Sequence, residues 1–176
     1  LWDEDRHQLF LARDRVGIKP LYYYHDNERF VFASELTAIL ACREIGLDLE
    51  VDPFSLNQFF IHGYMVAPYT MFKKVRKLMP GQYLALHNNR IEVHNYWNAE
   101  FVAEEKMDET QALENFDTLF RAAVKRHLIS DVPLGAFLSG GIDSTIVTAV
   151  AAQHMDIPVK TFTIGYTEAS YDESRY

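Results

Sequence analysis

Residues 132–145 read Val-Pro-Leu-Gly-Ala-Phe-Leu-Ser-Gly-Gly-Ile-Asp-Ser-Thr, and this stretch sets the architecture of the second half of the chain. Its apolar first half is typical of a short buried strand in a parallel sheet. After the two glycines, residues 144–152 are mostly apolar and predict a helix. A second apolar run at 159–164, closed by Gly165, predicts another strand. Strand, loop, helix and strand in this order form a βαβ unit with parallel strands.

The loop of residues 139–145 has the composition of a phosphate-binding site. Backbone N–H groups at the start of a helix attract anions, and the helix dipole adds to this attraction. Gly140 and Gly141 allow a phosphate to approach the backbone because no Cβ stands in the way. Three hydroxyl side chains add further donors: Ser139, Ser144 and Thr145.

Asp143 is the one acidic side chain in this loop, and it would repel a phosphate unless a cation lay between them. The sequence therefore predicts Mg²⁺ at Asp143. A Walker loop needs a lysine, which residues 139–145 lack, and a Gly-x-Gly-x-x-Gly fingerprint is absent there. A hydrolase elbow would need glycine in place of Phe137. The simple alternative is a tight Gly-Gly turn that caps a helix.

The first 97 residues carry hairpin signals instead of βαβ signals. Two pairs of runs rich in aromatic and β-branched residues predict hairpins. One pair is 21–24 with 30–33, and the other is 82–86 with 91–93. Ser34 is the expected cap of a short helix. Asp52 followed by Pro53 predicts the start of a second helix that ends at Gly63.

Acidic residues gather at 98–107, where the hydrophobic pattern lapses, and this segment is the expected linker. Asp108 and Gln111 then form a capping-box pattern at the start of a long helix. Apolar residues from Leu113 to Val124 recur at steps of three and four, which predicts one buried stripe. The expected organisation is therefore 1–97, a linker, and a second domain at 108–176.

Bulk properties exclude several classes of protein. The formal net charge is −8, which disfavours binding of nucleic acid through a basic face. Cys42 is the single cysteine, so no disulfide framework forms within residues 1–176, which fits the reducing cytoplasm. No apolar run approaches the ~20 residues of a membrane span. We therefore expect a cytoplasmic protein without nucleic-acid or membrane partners.

The loop resembles the Ser-Gly-Gly-x-Asp-Ser signature of N-type ATP pyrophosphatases, which include asparagine, GMP and argininosuccinate synthetases. Other blocks resemble glutamine-hydrolysing asparagine synthetases, in the same order along the chain. Blocks similar to class II glutamine amidotransferases stand at 12–23 and 32–35, and blocks similar to the segment that leads to the synthetase domain stand at 77–81 and 96–97. Blocks similar to the synthetase domain stand at 130–133, 161–166 and 171–174.

This resemblance implies that residues 1–97 are the C-terminal part of an α+β amidotransferase domain, with antiparallel hairpins and helices. Residues 108–176 would begin an α/β parallel-sheet ATP-pyrophosphatase domain, similar to adenine nucleotide alpha hydrolases. The implied activity is that of an ATP-dependent C–N ligase, which makes asparagine from aspartate and glutamine through β-aspartyl-AMP. The implied partners are these small molecules, with a homodimer as the candidate assembly.

The resemblance also assigns roles to the loop and to the residues that flank it. Leu138 and Ile164 would offer backbone groups to the adenosine. Asp143 would act in catalysis through a Mg²⁺-pyrophosphate complex. The remaining ATP-binding candidates would hold the phosphates: Ser139, Gly140, Gly141, Ser144 and Thr145.

The termini suggest a piece of a longer protein, since position 1 is Leu1 and the family's glutaminase nucleophile is an N-terminal cysteine. Cys42 is expected to be a core residue, and the piece is expected to catalyse neither half-reaction alone. Arg13 and Asp14 would either shape the glutaminase site or form an ion pair before Pro20, and the sequence favours the ion pair. Asp172 and Glu173 could approach the ATP site or cap a helix.

Three alternatives to this activity stay open at this stage. A related amidotransferase could act on another carboxylate, such as a β-lactam or a cell-surface acid. A synthetase of the same plan could use free ammonia and keep a vestigial amidotransferase domain. The chain could also be a nucleotide-binding or interaction module without catalytic activity.

Overall fold

The computed structural model describes residues 1–26, 28–42, 46–100, 106–168 and 172, in two compact units, Leu1–Val102 and Ala103–Tyr176. The elements of the first unit are β1 Trp2–Asp3, β2 Gln8–Ala12, β3 Tyr22–His25, β4 Phe30–Ala33, α1 Leu36–Ala41, α2 Pro53–His62, β5 Val75–Lys77, β6 Gln82–His87 and β7 Arg90–Asn95. Those of the second unit are α3 Glu109–His127, β8 Gly135–Phe137, α4 Ile142–His154 and β9 Lys160–Phe162. Residues 101–105 of the expected linker lie outside the described residues.

Two antiparallel sheets build the first unit. One has the order β1-β2-β6-β7 and the other β4-β3-β5. Both predicted hairpins are confirmed, since β3 pairs with β4 and β6 pairs with β7, each antiparallel. The β6–β7 turn lies at Asn88 and Asn89, whose φ angles are 49° and 59°. Asparagine tolerates this left-handed region better than most residues, which suits a two-residue hairpin turn.

The first unit has two buried clusters. In one, Leu11 of β2 lies opposite Leu84 of β6, and Leu78, which follows β5, packs with them. The second cluster contains Tyr24 and Ile39, both 0% exposed, together with Leu47 and Val75.

The caps of two helices follow the sequence prediction. The Asp52 carboxylate accepts a hydrogen bond from the α2 backbone, and α2 ends at Gly63 with a left-handed φ of 76°. Asp108 and Gln111 form the expected capping box at the start of α3. The prediction that Ser34 caps the first helix is wrong. The chain stays extended through Glu35, which takes the N-cap position without a side-chain hydrogen bond, so Ser34 lies one residue too early.

Arg13 and Asp14 do not form the ion pair that the sequence favoured. The Arg13 guanidinium donates hydrogen bonds to three backbone carbonyls. The Asp14 carboxylate accepts from the amides of Ile18 and Lys19, at 2.8 Å and 3.1 Å. These two bonds are the main reason that the pKa of Asp14 is lowered from 3.8. Both side chains therefore bind backbone rather than each other.

The second unit contains the expected βαβ unit. Strands β8 and β9 are parallel neighbours, with Phe137 opposite Phe162, and α4 connects them. Both strands are shorter than the apolar runs at 134–138 and 159–164 that predicted them. Helix α3 packs against α4, and the buried residues of this unit are Val124, Val150 and Ala151.

The single buried stripe expected on α3 is wrong for its first half. Leu113, Phe116 and Leu119 are 61%, 57% and 68% exposed, whereas Val124 is buried. Only the C-terminal half of α3 contacts the buried cluster, so the periodic pattern overestimates what the described residues cover. None of the helices within the described ranges is long and apolar enough to span a membrane.

Candidate nucleotide-binding site

The loop after β8 leaves the sheet where both parallel strands end. The Leu138 amide donates to the Phe162 carbonyl at 2.9 Å and extends the strand pairing by one step. The Thr163 hydroxyl donates back to the Leu138 carbonyl at 2.6 Å. The carboxyl ends of parallel strands are where α/β folds bind ligands, because loops and helix starts converge there.

Serine hydroxyls close the loop across the start of α4. The Ser139 amide donates to the Ser144 hydroxyl at 3.3 Å, and the two hydroxyl oxygens lie 3.2 Å apart. The Ser144 hydroxyl also donates to the Gly141 carbonyl at 3.2 Å. The predicted residues 139–145 are therefore brought together as one loop, closed by the contact between the Ser139 and Ser144 hydroxyls.

The two glycines meet different requirements. Gly140 has a φ of 81°, which only glycine adopts without strain. Gly141 has an ordinary φ of −69°, and an added Cβ would come near only the Ser139 hydroxyl, at 3.4 Å. Nothing in the described protein therefore demands glycine at position 141. A phosphate lying directly against the backbone would supply such a demand.

Helix α4 begins without a side-chain cap, in contrast to α3. Gly141 is its N-cap and offers no side chain to the first amides, whereas Asp108 accepts from the Gln111 amide in α3. The first-turn amides of an uncapped helix need acceptors from water or from a ligand. Together with the dipole of a 13-residue helix, they favour an anion at this end.

Asp143 lies in the first turn of α4 with an exposed side chain. Its carboxylate makes no hydrogen bond or ion pair with any other described residue, so it is free to bind a cation. The Thr145 hydroxyl differs, because it donates to the Gly141 carbonyl at 2.8 Å within the helix. Of the two, Asp143 is the more available group.

A cleft of about 250 Å³ opens beside the loop. It is lined by Phe137, Leu138, Ser139, Phe162, Thr163, Ile164 and Tyr166. The structure thus places three predicted residues in it, Leu138, Ser139 and Ile164, whereas residues 140–145 do not line it. Sequence reasoning missed Phe162, Thr163 and Tyr166 as lining residues. The register that sets Phe137 opposite Phe162 brings them there.

Two other features bear on the site. The Tyr166 amide donates to the Asp172 carboxylate at 3.4 Å, which brings Asp172 to one wall of the cleft. Residues 171, 173 and 174 of the same predicted block lie outside the described residues.

A larger cleft of about 900 Å³ lies over the four-stranded sheet of the first unit. None of the predicted site residues lines it, so its size alone does not make it the site.

A magnesium ion fits the donors of this loop only in the company of a phosphate ligand. The described part of the chain holds no cluster of three or more His, Cys, Asp or Glu that could bind a metal by itself. Mg²⁺ is commonly bound by one or two carboxylates together with substrate phosphates. Asp143 supplies one such carboxylate beside an anion-attracting helix start.

Comparison with known families covers most of the chain. The profile of the family described as "Glutamine amidotransferase domain" matches residues 1–97, and that described as "Asparagine synthase" matches 115–176. Asparagine synthetase (glutamine-hydrolyzing) 3 of Bacillus subtilis is 40% identical over 174 residues, 96% of this chain and 28% of that protein. Asparagine synthetase (glutamine-hydrolyzing) 1 of the same organism is 33% identical, over 98% of this chain and 27% of that protein.

A relative with a different name has a similar sequence identity to this chain. Amidase chry2 of Gibberella zeae is 38% identical over 156 residues, 86% of this chain and 22% of that protein. The chain thus spans about a quarter of the length of these relatives. The chain belongs to the glutamine amidotransferase family, and it is similar to glutamine-hydrolysing asparagine synthetases along nearly its whole length.

Proposed function

We propose that the full-length protein is an ATP-dependent ligase that makes asparagine from aspartate with nitrogen from glutamine. The observation that carries the proposal is the closed loop 139–145 at the uncapped start of α4, beside a cleft at the ends of two parallel strands. The match to the asparagine synthase family over residues 115–176 supports the same assignment.

The chemistry begins with a poor leaving group. A carboxylate oxygen does not leave when ammonia attacks, so the aspartate side chain is first activated. One carboxylate oxygen attacks the α-phosphorus of ATP, the bond to pyrophosphate breaks, and β-aspartyl-AMP forms. Ammonia then attacks the acyl carbon, loses a proton, and expels AMP, which keeps the oxygen that came from aspartate. The products are asparagine, AMP and pyrophosphate.

The loop's part in this reaction is to hold the phosphates. The amides at the start of α4, with the hydroxyls of Ser139 and Ser144, would receive the departing pyrophosphate. Ser144 and Thr145 would donate to the phosphates once their hydroxyls left the Gly141 carbonyl. Gly140 and Gly141 would let the phosphate oxygens reach the backbone.

Asp143 is the residue that would hold Mg²⁺ against the phosphates. The ion would neutralise the charge that builds up on pyrophosphate as it leaves. Residues of the neighbouring cleft would hold the nucleoside, with the backbone of Ile164 facing adenosine. At Leu138 the carbonyl would accept a second bond beside that from Thr163, because the amide is already bonded to the Phe162 carbonyl. Leu138 and Ile164 both line that cleft, together with the apolar Phe162.

The first unit would belong to the half of the enzyme that hydrolyses glutamine. Cys42 does not fit a nucleophile, because it is half-buried and its thiol donates to the Ala38 carbonyl within α1. We propose that residues 1–176 alone catalyse neither half-reaction, since they span about a quarter of the relatives' length. We further propose a cytoplasmic homodimer, the cytoplasm being supported by the lone cysteine.

A second candidate differs in the acceptor. Amidase chry2 shares 38% identity with this chain, and Amidase chyE of Penicillium rubens shares 33% over 99% of it. The same two units could therefore amidate another carboxylic acid. An assay with several carboxylic acids decides which one is the acceptor.

The test measures AMP and pyrophosphate made by the full-length protein from ATP and Mg²⁺. Aspartate is compared with other carboxylic acids, each with glutamine or ammonium as nitrogen donor. We expect pyrophosphate release that depends on aspartate and asparagine formation with glutamine. Release with a different acid alone would favour the second candidate. Release of ADP, or no ATP cleavage with any acid, would overturn the proposal.

A further inference from the structure

The hydrogen-bond ladder between β8 and β9 stops halfway through a step. Phe137 lies opposite Phe162, and the Leu138 amide continues the ladder by donating to the Phe162 carbonyl at 2.9 Å. In a parallel ladder, the next bond would run from the Ile164 amide back to the Leu138 carbonyl. The Ile164 amide makes no such bond, and it donates to no other residue that the structure describes.

The Thr163 side chain takes the place of that missing amide. Its hydroxyl donates to the Leu138 carbonyl at 2.6 Å. Threonine is stiff at χ1, which favours one fixed position for the hydroxyl. A hydroxyl has one hydrogen to donate, so the Thr163 oxygen keeps only acceptor capacity. The Leu138 carbonyl is therefore satisfied while the Ile164 amide stays available as a donor.

These groups lie on the wall of the cleft of about 250 Å³ beside the loop. The amides of three neighbouring lining residues, Leu138, Ser139 and Tyr166, are all bonded within the protein. The Ile164 amide is in contrast an unbonded donor. Beside it stand two acceptors, the Thr163 hydroxyl oxygen and the second lone pair of the Leu138 carbonyl.

A donor beside acceptors matches one class of purine and opposes the other. Adenine carries an amino donor at C6 and an acceptor at N1, side by side on one edge. Guanine and hypoxanthine carry a carbonyl acceptor at C6 and a donor at N1, so the order is reversed. A site that hydrogen-bonds one such pattern discriminates strongly against the other, because its polar groups are then left unpaired.

We propose that Thr163 determines the selectivity of this cleft for nucleotides of a 6-aminopurine. It is a positioning residue that keeps the Ile164 amide out of the strand ladder, so that this amide can bind N1 of the base. The inference rests on the proposed function, in which the cleft holds the nucleoside of ATP. Without the Thr163 hydroxyl, the Ile164 amide would bond to the Leu138 carbonyl and complete the ladder.

A role in strand stability alone makes a different prediction. A weakened end of the ladder would lower the use of every nucleotide to the same extent. A role in base selection lowers the use of ATP more than that of inosine triphosphate, which has the reversed edge. The ratio of kcat/KM for the two nucleotides therefore separates the roles.

The experiment uses the full-length protein with the variants Thr163→Val and Thr163→Ser. The first replaces the hydroxyl with a methyl group of similar size, and the second keeps the hydroxyl. Thr161→Val is the matched control, since Thr161 is an exposed residue of β9 that does not line the cleft. Pyrophosphate release gives kcat and KM with each nucleotide, and hydrogen exchange follows the Ile164 amide.

We expect the ratio of kcat/KM for ATP to that for inosine triphosphate to fall about tenfold in Thr163→Val, the effect of one or two hydrogen bonds. The fall should come mainly from a higher KM for ATP. Exchange of the Ile164 amide should become slower in this variant, because the amide joins the ladder. Thr163→Ser should keep most of the selectivity, and Thr161→Val should keep all of it.

An unchanged ratio in folded Thr163→Val, or equal losses with both nucleotides, overturns the inference. A wild-type protein that uses both nucleotides equally well also overturns it. If Thr163→Val does not fold, Thr163→Ala decides. A wild-type protein that releases no pyrophosphate with any carboxylic acid overturns the proposed function instead, and calorimetric binding of the two nucleotides then tests the inference.

Discussion

The two units differ most in how many apolar side chains they bury. Within the described residues, the first unit buries apolar side chains from strands, a helix and loops: Leu11, Tyr24, Ile39, Leu47, Val75, Leu78 and Leu84. The second buries Val124, Val150 and Ala151, all from helices, and every residue of β9 is exposed. Most of the buried residues that the structure describes therefore lie in the first unit, and the candidate nucleotide loop lies in the second.

The regions that we expect to be most stable and the candidate binding loop therefore lie in different units. The first unit has two cores of its own, so its loops are held by buried contacts and by the bonds around Arg13. In the second unit, the loop 139–145 is supported by one helix and a two-stranded sheet. Binding loops are commonly found in regions of low local stability. A ligand that orders such a loop would stabilise the second unit more than the first.

The largest expected effect concerns Asp143, the exposed acid in the first turn of α4. Asp143→Ala in the full-length protein should lower asparagine synthesis by about 10²–10³-fold, the usual cost of losing one charge-stabilising group. Glutamine hydrolysis should be unchanged, because in the proposed function it belongs to the half of the enzyme that contains the first unit. Pyrophosphate and glutamate release are measured on one preparation.

Asp156→Ala is the matched control for this variant. Asp156 is an exposed acid that follows the opposite end of α4, and it should tolerate the change in both assays. Synthesis that survives Asp143→Ala within a few fold would reduce Asp143 to a helix-start charge. Parallel loss of both activities would show that the two units are not independent.

The next effect compares the cores directly. Leu84 is 0% exposed between Leu11 and Leu78, so Leu84→Ala should cost about 2–5 kcal/mol of unfolding free energy. Val150→Ala in the second unit removes two methyl groups from a smaller cluster and should cost about 1–2 kcal/mol. Denaturant unfolding of each variant measures both values. A larger cost at Val150 would contradict the comparison.

Hydrogen exchange sharpens the comparison without a substitution. Strand β6 lies between β2 and β7, so the Leu84 amide should exchange among the slowest. Amides of β8 and β9 lie in a two-stranded sheet and should exchange faster. Addition of MgATP should slow exchange in residues 138–145 and leave β6 unchanged. Equally slow exchange in the β1-β2-β6-β7 sheet and in the β8-β9 sheet of the free protein would contradict the proposed difference in local stability.

The smallest effect is the pH dependence of the first unit. The Tyr24 hydroxyl donates to the Asp26 carboxylate at 2.6 Å, and this bond, with the amides of Glu28 and Arg29, lowers the pKa of Asp26 from 3.8 to about 2. A carboxylate with a lowered folded pKa stabilises the folded state above its unfolded pKa, and that stability is lost as pH falls through the folded value.

Stability should therefore fall between about pH 4 and pH 2, and Asp26→Asn should flatten this fall. The flattening is partial, because the pKa values of Asp14 and Asp48 are lowered as well. Urea unfolding at several pH values measures the slope. An identical slope in the variant would show that Asp26 does not titrate in this window.

Local signals in the sequence predicted local structure well. The Asp52 and Asp108 caps and the β6–β7 hairpin depend on neighbouring residues, and the structure has all three. The pairing of β2 with β6 was not predicted, because it joins segments about 70 residues apart through side chains that any sheet could bury. Strand β5 was missed for the same reason, since three residues carry too little pattern.

In the candidate site, too, residues close together in sequence were predicted and residues brought in by strand pairing were not. The motif at 139–145 named the loop, since its chemistry lies in consecutive residues. Phe162 and Tyr166 were missed as cleft residues, because their place depends on the register of β8 against β9. The resemblance drawn from the motifs is confirmed by both family matches. The roles of the individual site residues stay predictions.

If the loop serves adenylation of a carboxylate, one carboxylate oxygen of the substrate must end in AMP. Aspartate labelled with ¹⁸O in its side-chain carboxylate is given to the full-length protein with ATP, Mg²⁺ and glutamine. We expect one ¹⁸O in the phosphate of AMP for each asparagine formed, measured by mass spectrometry. ¹⁸O in inorganic phosphate, or asparagine formed with unlabelled AMP, would contradict it.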